Sequence, residues 1–414
     1  MGREKKKILI HSIAFSPDGA TLAYLYNDIA LAFKAAGYDV AVMTTTPQYG
    51  TEPEQLERQP LRWGVWGVYK TSSFHGVPVY HVPQRKFKLT ALRLLGFVYW
   101  HIVSFFLGLC IRHVDVILSP SPPLTLGRLN NWLGRLKRCK VVYTVQEIYP
   151  DILDLDEKSL VNRYLRGLER RVYKHSDVCT TIDKVFYDTI VERFDNPNKL
   201  HIIPNFVDTA VYREGVSTDV LDKRLFPETD SLKLVYAGNV GFAQDWQTLI
   251  RLAEKTRGMK VEYFLVGDGM RRSWVEQQMV ERRLNNLHII DYQPRHLMPA
   301  ILAYCDLHFV FMTPEAEKMG FPSKVYTIMA CARPLLVCSG QNTPMAKFLE
   351  PIGCAKIVSS RDVEQRVDEM VQWISEVRRE ELIMMGKKGK DVIEEKYTKE
   401  RVTGQYVELI KKTL

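Results

Sequence analysis

Two successive runs of short apolar segments alternating with helical periodicity constrain this chain more than any other feature. The first run opens at Lys7–Ile13. A loop with Pro17 and Gly19 follows, then a helix in which Leu22, Leu25, Ile29 and Phe33 recur at three and four residues, with Gly37 where a C-cap belongs. A strand at Val40–Thr44 closes this first unit. Residues 46–88 are rich in Gly, Pro, Gln and aromatics and read as a long loop with one short strand, Val77–Val82. The alternation resumes with an apolar segment at Leu94–Ile111, strands at Val114–Leu118, Lys140–Val145, Val178–Thr181 and Leu200–Ile203, and helices at 124–137, 159–175 and 184–194. Pro204–Asp208 and the polar stretch to Ser231 read as a linker. Six more strands then follow, at 232–237, 261–266, 287–290, 307–311, 334–338 and 355–358, with helices between them. Strand-helix alternation closes as a parallel sheet covered on both faces, so two runs predict two doubly wound α/β domains. Ligands of such sheets sit beyond the carboxyl ends of the strands, which places the expected site in a cleft between the two domains.

Composition narrows the functional classes. With 414 residues, 46% of them hydrophobic and 25% charged, the chain has material for two cores and is neither disordered, collagen-like nor a long coiled coil. The net charge of +9 suits a polyanion, an anionic membrane surface or a phosphorylated substrate, and equally an ordinary basic surface. No basic stripe or recognition motif is legible, so a nucleic-acid role is not expected. The seven cysteines are scattered without a C-x-x-C pair, which predicts no zinc or redox site and a reduced, cytosolic protein. Ile8–Phe15 is too short, and too interrupted by His11 and Ser12, to read as a secretory signal. Leu94–Ile111 has the minimum length for a span but contains His101, Ser104 and two glycines. It reads first as a buried or half-buried helix feeding the next strand, second as a helix on a membrane surface, and third as a span.

Several residues could carry chemistry. Two strands of the second run end in glycine turns, Ala237-Gly238-Asn239-Val240-Gly241 and Val266-Gly267-Asp268-Gly269. Glycine lets backbone N–H groups approach a ligand, and a helix N-terminus favours phosphate. Neither turn is G-x-G-x-x-G, nor is the loop after the first strand, so the dinucleotide fingerprint is absent. In Phe321-Pro322-Ser323-Lys324, Pro322 suits a first helical turn, Ser323 can cap it and Lys324 adds a cation, together a diphosphate clamp. Gln146 and Glu147 end a strand of the first run, where Glu147 is able to bind sugar hydroxyls or take a proton. His11 ends the first strand. Arg271 and Arg272 follow the second glycine turn and are able to face a phosphate, although helical arginines are more often solvated.

Taken in order, these segments resemble the retaining glycosyltransferases of family 4, which have the GT-B fold. The resemblance covers nearly the whole chain. It rests on the Pro17–Gly19 loop, Val145–Asp151, Ile203–Asp208, Tyr236–Gly241, Leu265–Gly269, Asp291-Tyr292-Gln293-Pro294 and Pro322–Lys324. It is most similar to the branch that builds bacterial surface polysaccharides, with fucosamine and colanic-acid-type transferases. The resemblance implies an acceptor domain at 1–208, completed by a helix at about 396–414, and a nucleotide-sugar donor domain at 209–395. It implies Glu147 and Lys324 as catalytic residues, and Gly238, Asn239, Gly241, Gly267, Asp268, Gly269, Tyr292, Glu317, Ser323 and Lys324 as the donor site. Gly19, His11 and Gln146 fall on the acceptor side. The implied partners are a nucleoside-diphosphate sugar, UDP first and GDP second, a polyprenyl-diphosphate-linked glycan and the anionic inner face of the plasma membrane. Trp63, Trp66, Arg85, Lys86, Lys88 and Arg93 are expected near that surface.

The departures from the family pattern are specific. Many members carry Glu-x7-Glu before Ala-x-Gly-x-Pro, and aligning Met329–Pro334 puts Met319 and Thr327 at those two positions. Glu315 and Glu317 stand nearby as substitutes if the loop is shifted. Asn239 and Gln244 replace the usual Arg and Lys, and Gln146 replaces a frequent His. No Asp-x-Asp is placed to hold a metal, so no metal or other cofactor is expected. Two alternatives stay open at this point, a nucleotide-sugar epimerase on the same fold and a non-catalytic nucleotide-sugar-binding partner.

Overall fold

Strands buried on both faces must be apolar along their length, and the central strands of both runs are built that way. In the computed structural model, which describes residues 5–48, 50–51, 53–84, 89–153, 155–156, 158–319 and 322–414, the chain divides into two units. One comprises Met1–Asn205 and Glu400–Leu414, the other Phe206–Lys399.

The first unit contains β1 (Lys7–His11), α1 (Thr21–Ala35), β2 (Asp39–Thr45), α2 (Pro53–Arg58), β3 (Arg62–Trp63), β4 (Lys70–Phe74), β5 (Val77–Val82), α3 (Thr90–Cys110), β6 (Val114–Pro120), α4 (Leu124–Lys137), β7 (Lys140–Val145), α5 (Leu160–His175), β8 (Val178–Thr181), α6 (Lys184–Ile190) and β9 (Leu200–Ile202). Its nine-stranded sheet runs β3-β4-β5-β2-β1-β6-β7-β8-β9. Pairing is parallel from β5 to β9 and antiparallel at β3-β4-β5. The loop expected over 46–88 therefore contains a helix and two further strands. β4 (KTSSF) is polar and half-exposed, so it gives no apolar alternation to read.

α3 has two faces. Trp100, Ser104 and Gly108 recur at four residues and face inward, with Trp100 and Ser104 fully buried. A Cβ at Gly108 would come within 2.8 Å of Leu133 on α4, so the small residue sets the helix spacing. The opposite stripe, Leu94, Leu95, Val98, Ile102 and Phe106, is exposed. The segment is a helix that leads to β6, as expected, but with most of its surface exposed rather than buried.

The second unit contains β10 (Leu232–Ala237), α7 (Trp246–Lys255), β11 (Val261–Val266), α8 (Arg272–Glu281), β12 (Leu287–Ile290), α9 (Met298–Tyr304), β13 (Leu307–Phe311), α10 (Lys324–Ala330), β14 (Leu335–Cys338), α11 (Pro344–Leu349), β15 (Ala355–Val358), α12 (Val363–Glu376) and α13 (Arg379–Lys396). Its six strands are all parallel, in the order β12-β11-β10-β13-β14-β15. One core lies under α9, α10 and α11, and the other under α7, α8 and α12. The stretch expected as a free linker is not one. Val207, Leu221 and Phe226 are buried in the first of these cores, and the Tyr304 hydroxyl donates to Pro227 O at 2.6 Å. The chain then leaves through α14 (Lys399–Thr413), which belongs to the first unit, where Tyr406 is buried.

Candidate active site

In the second unit, the ends of β10 and β11 are joined backbone to backbone. Gly238 N–H donates to Val266 O at 2.9 Å, Val240 N–H to Asp268 O at 2.8 Å, and Arg271 N–H back to Val240 O at 2.9 Å. Such an approach leaves no room for a side chain. Gly267 has φ +146°, and a Cβ there would stand 2.0 Å from Gly238 O. Gly269 faces Val240 O in the same way, at 2.4 Å. These glycines hold the two turns together, whatever else they do.

Lys324, the first residue of α10, reaches over this joint. Its Nζ donates to Ala237 O at 3.2 Å and lies 3.7 Å from the centre of the Tyr236 ring. A Cβ at Gly238 would meet that same Nζ at 2.8 Å, so the glycine also admits the cation. Tyr236 packs edge-on against Trp246, whose Nε1–H donates to Gly241 O at 2.7 Å. Cation, aromatic pair and glycine turn are one assembly. Among the described residues no carboxylate pairs with Lys324. Desolvation pulls its ammonium from the usual lysine value down to about 7.

The other residues expected at the donor site fall into two groups. Asn239, Asp268, Tyr292 and Ser323 are exposed, with Tyr292 at 70%. Ser323 makes no side-chain cap hydrogen bond, since its backbone is already helical (φ −56°, ψ −22°), so it does not cap α10. Glu317 is buried with both oxygens engaged. Oε2 accepts from Gly340 N–H at 2.7 Å and from the Ser339 hydroxyl at 3.3 Å, and Oε1 accepts from Arg361 at 2.5 Å. Gln244 is also buried, with its amide on Met312 Sδ at 3.3 Å. Thr327 Oγ1 donates to Lys324 O within α10 at 2.8 Å, while the side chain of Met319 and all of Phe321 lie outside the described residues. Of the two arginines, Arg272 is consumed by Gly267 O, Glu276 and Asp291. Arg271 instead stacks on Trp274 and Phe242, at 4.7 and 5.7 Å from the ring centres.

In the first unit the strand-end loops are joined through side chains. Ser121 Oγ, after β6, accepts from Gln146 N–H at 2.9 Å and Glu147 N–H at 3.3 Å, after β7. Glu147 is half-buried, the Tyr149 hydroxyl donates to it, and burial raises its carboxyl above the ordinary value. In the loop of Gly19, Asp18 accepts from Ala20 N–H at 2.9 Å and Gln48 N–H at 2.8 Å. Gln59 accepts from Ser16 Oγ at 2.6 Å and donates to Ser16 O at 3.0 Å and Ser72 Oγ at 2.8 Å. Ser72 in turn meets His81 Nε2 at 2.7 Å. His11 lies below this surface. It is fully buried against Trp100 (5.7 Å between rings), its Nδ1 is 2.7 Å from Asn130 Oδ1, and burial pulls it to about 3, so it is neutral. Asn130, Ser121 and Gln59 were not anticipated, and Tyr236 was named only as the start of a motif, without a role of its own. Only Tyr236, immediately before a glycine turn, carried a signal by its place.

No three His, Cys, Asp or Glu side chains converge as a metal site among the described residues.

Residues 24–211 match the Glycosyltransferase Family 4 model. The fold is shared with the crystal structure of Anabaena Alr3699/HepE in complex with UDP, at a TM-score of 0.72 and 14% identity over 98% of this chain and 100% of that one. The chain has the GT-B fold, and over residues 24–211 it is similar to the family 4 glycosyltransferases. The enzyme is 24% identical over 373 residues to the putative colanic acid biosynthesis glycosyl transferase WcaI of Escherichia coli (strain K12), covering 87% of this chain and 90% of that protein. It is also 24% identical over 249 residues to the probable glycosyltransferase WbjE of Pseudomonas aeruginosa, covering 58% and 62%.

Proposed function

We propose that the enzyme transfers a sugar, with retention, from a nucleoside-diphosphate sugar to a polyprenyl-diphosphate-linked glycan during synthesis of a cell-surface polysaccharide. UDP is the first choice of base and GDP the second. The observation that carries this reading is Lys324, a partly buried ammonium held over Tyr236 and the glycine turn at the end of β10, which no carboxylate pairs with among the described residues. A cation kept out of water and unpaired is costly unless an anion completes it. The same group is suited to the charge that grows on a departing diphosphate, because it needs no reorganisation to meet it. The UDP and UDP-glucose complexes of the HepE neighbour support the choice of base, and the colanic acid role in the name of WcaI supports the polysaccharide.

In the first unit, Glu147 orients the acceptor, with Tyr149 and the Ser121 bridge setting its position. Lys324 supplies the charge a metal supplies elsewhere, so the reaction is independent of metal. The enzyme works at the cytoplasmic face of the membrane that carries the lipid-linked acceptor.

Thermal unfolding with UDP, GDP, ADP and TDP, each with and without EDTA, tests the reading. Saturation at a hundred times Kd adds about 2.7 kcal/mol, a visible shift. The expected result is a shift with UDP that EDTA leaves unchanged and Lys324→Ala removes. No shift with any diphosphate overturns the donor site.

A further inference from the structure

The loop after β7 contains two carboxylates, Glu147 and Asp151, in opposite surroundings. Asp151 opens a single 3-10 turn, Asp151–Leu153, and is claimed by two arginines. Arg193 Nη2 donates to its Oδ2 at 2.8 Å, and Arg166 Nη1 to its Oδ1 at 2.5 Å. Arg193 Nη1 also donates to Glu169 Oε1 at 2.6 Å, and Arg166 Nη1 lies 3.7 Å from Glu169 Oε2. Two cations and two anions thus alternate in a closed ring. Glu169 is 1% exposed and accepts a further bond from the Tyr173 hydroxyl at 3.1 Å. Tyr173 in turn stacks flat on Phe194, the neighbour of Arg193, at 4.5 Å. Glu147 has none of this. Among the described residues no lysine or arginine pairs with it, and its side-chain partner is the Tyr149 hydroxyl.

Packing alone does not account for the ring. An apolar patch would join α5 to the turn Val191–Arg193 without desolvating any charge. An apolar patch has no hold on a carboxylate in a strand-end loop, whereas a planar guanidinium grips two carboxylates at once. Arg193 reaches both α5 and the loop with one side chain. The loop is thereby pinned at both ends. Ser121 Oγ accepts from Gln146 N–H and Glu147 N–H at its start, and Arg193 holds Asp151 at its end. Between the pins Ile148 is buried, and its carbonyl accepts from Ile152 N–H at 3.1 Å. Burial raises the Asp151 carboxyl, but the two arginines more than reverse this and keep it ionised. Burial, unopposed by any cation, raises that of Glu147.

We propose that Arg193 and Asp151 are positioning residues for Glu147. They act through the backbone of Glu147–Asp151, which keeps the Glu147 carboxyl at Tyr149 and out of water. The inference deepens the acceptor role of Glu147 and, for the use of that carboxyl in transfer, rests on the function proposed above.

Infrared titration of the full-length protein containing isotope-labelled glutamate tests the positioning. Each form is compared with its own Glu147→Gln version, which isolates the Glu147 carboxyl. The variants are Asp151→Asn, Arg193→Gln, and Arg193→Gln with Glu169→Gln, the last removing the buried pair together so that no charge is stranded. If the two groups acted through their fields, loss of the anion would lower the Glu147 value and loss of the cation would raise it. Acting through position, both losses free the loop, admit water and lower it. The expected result is a fall of about half a unit or more toward the ordinary glutamate value in all three variants. Opposite shifts in the two single variants, or no shift, overturn the inference. Circular dichroism checks folding. If Arg193→Gln alone does not fold, the charge-neutral pair decides, and an unmoved Glu147 there overturns the inference. The UDP-induced thermal shift is read separately. Its absence in the parent overturns the proposed function, while the titration still decides the positioning.

Discussion

The strand-end loops of the two units are held in opposite ways. In the second unit, β10 and β11 end in turns that touch main chain to main chain, through Gly238, Val240 and Gly267, and one lysine stands over the joint. In the first unit, a backbone bond from Ser121 N–H to Thr144 O also joins two strand ends, but the loops beyond it are tied by side chains, Ser121 to Gln146 and Glu147, Gln59 to Ser16 and Ser72. Backbone contact gives a rigid turn that tolerates no Cβ. Side-chain ties give a loop that tolerates substitution one bond at a time. The proposed roles fit this division, because a diphosphate is a constant group and acceptors differ in shape.

The sharpest way to break the comparison is Gly267→Ala. The new Cβ meets a carbonyl oxygen at 2.0 Å and requires a φ of +146° that alanine rarely adopts, and neither neighbour is a flexible side chain. The expected loss is roughly 3–5 kcal/mol in the second unit, measured by denaturant unfolding. Gly241→Ala is the control. Its Cβ would meet only the Asn239 side chain, which is free to turn away, so the expected cost is below about 1 kcal/mol. Equal costs at the two positions would show that the joint does not depend on backbone contact.

The first-unit counterpart is Gln59→Ala, which removes three side-chain hydrogen bonds from a buried position. The expected cost is about 2 kcal/mol, smaller than at Gly267 because water is able to enter beside Ser16. The same substitution uncovers His81, which burial holds near 4 and which faces Thr45 O through Nδ1. A histidine whose folded value lies below 6.5 contributes stability above 6.5 that is lost as pH falls toward 4. Gln59→Ala should therefore flatten the acid arm of the stability profile between pH 6.5 and 4, read by unfolding at several pH values.

These differences also set what was legible in the sequence. The strands β7, β10, β11 and β13 appear at their expected bounds because strands buried on both faces are continuous apolar runs. The glycine turns were legible because few residues other than glycine take their place. The side-chain ties were not, since Gln59, Ser72 and Asn130 are ordinary polar residues until the fold brings them together. His11 shows the same limit. Its place at the end of a strand suggested the acceptor side, but a single position does not reveal which way a ring points, and it points under Trp100. Leu221 and Phe226 lie among polar turn residues with no period to mark them as core.

Lys324 offers a finer test, because its charge depends on what it faces. With an ammonium near 7 in the empty site, the protein above that pH is largely uncharged there. A bound diphosphate favours the charged form, so binding takes up a proton. Nucleotide affinity should fall as pH rises above 7, by up to about tenfold per unit, a slope of about 1.4 kcal/mol. The slope should vanish in Lys324→Met, which binds weakly at every pH. The unfolded lysine holds its proton to about 10.4, so the native lysine's contribution to stability rises between pH 7 and that value. Lys324→Met should then raise Tm most near pH 7 and below. A variant that binds UDP as the parent does, or a parent affinity flat between pH 7 and 9, would separate the lysine from the diphosphate.

The smallest expected effect is at Glu317, which joins the loop before α10 to the turn after β14. Its oxygens are taken by Gly340 N–H, the Ser339 hydroxyl and Arg361. Glu317→Gln keeps one acceptor and leaves Arg361, which is 60% exposed, to be solvated. No buried charge is stranded, so the expected cost is about 1 kcal/mol. Because the carboxylate is already committed within the unit, the Kd for UDP and for its sugars should change together and by less than about threefold. Tenfold weaker binding of the sugar nucleotide, with UDP unaffected, would instead mean that this carboxylate leaves its turn to hold the sugar. The second unit would then contain a side-chain tie of the adaptable kind that distinguishes the first.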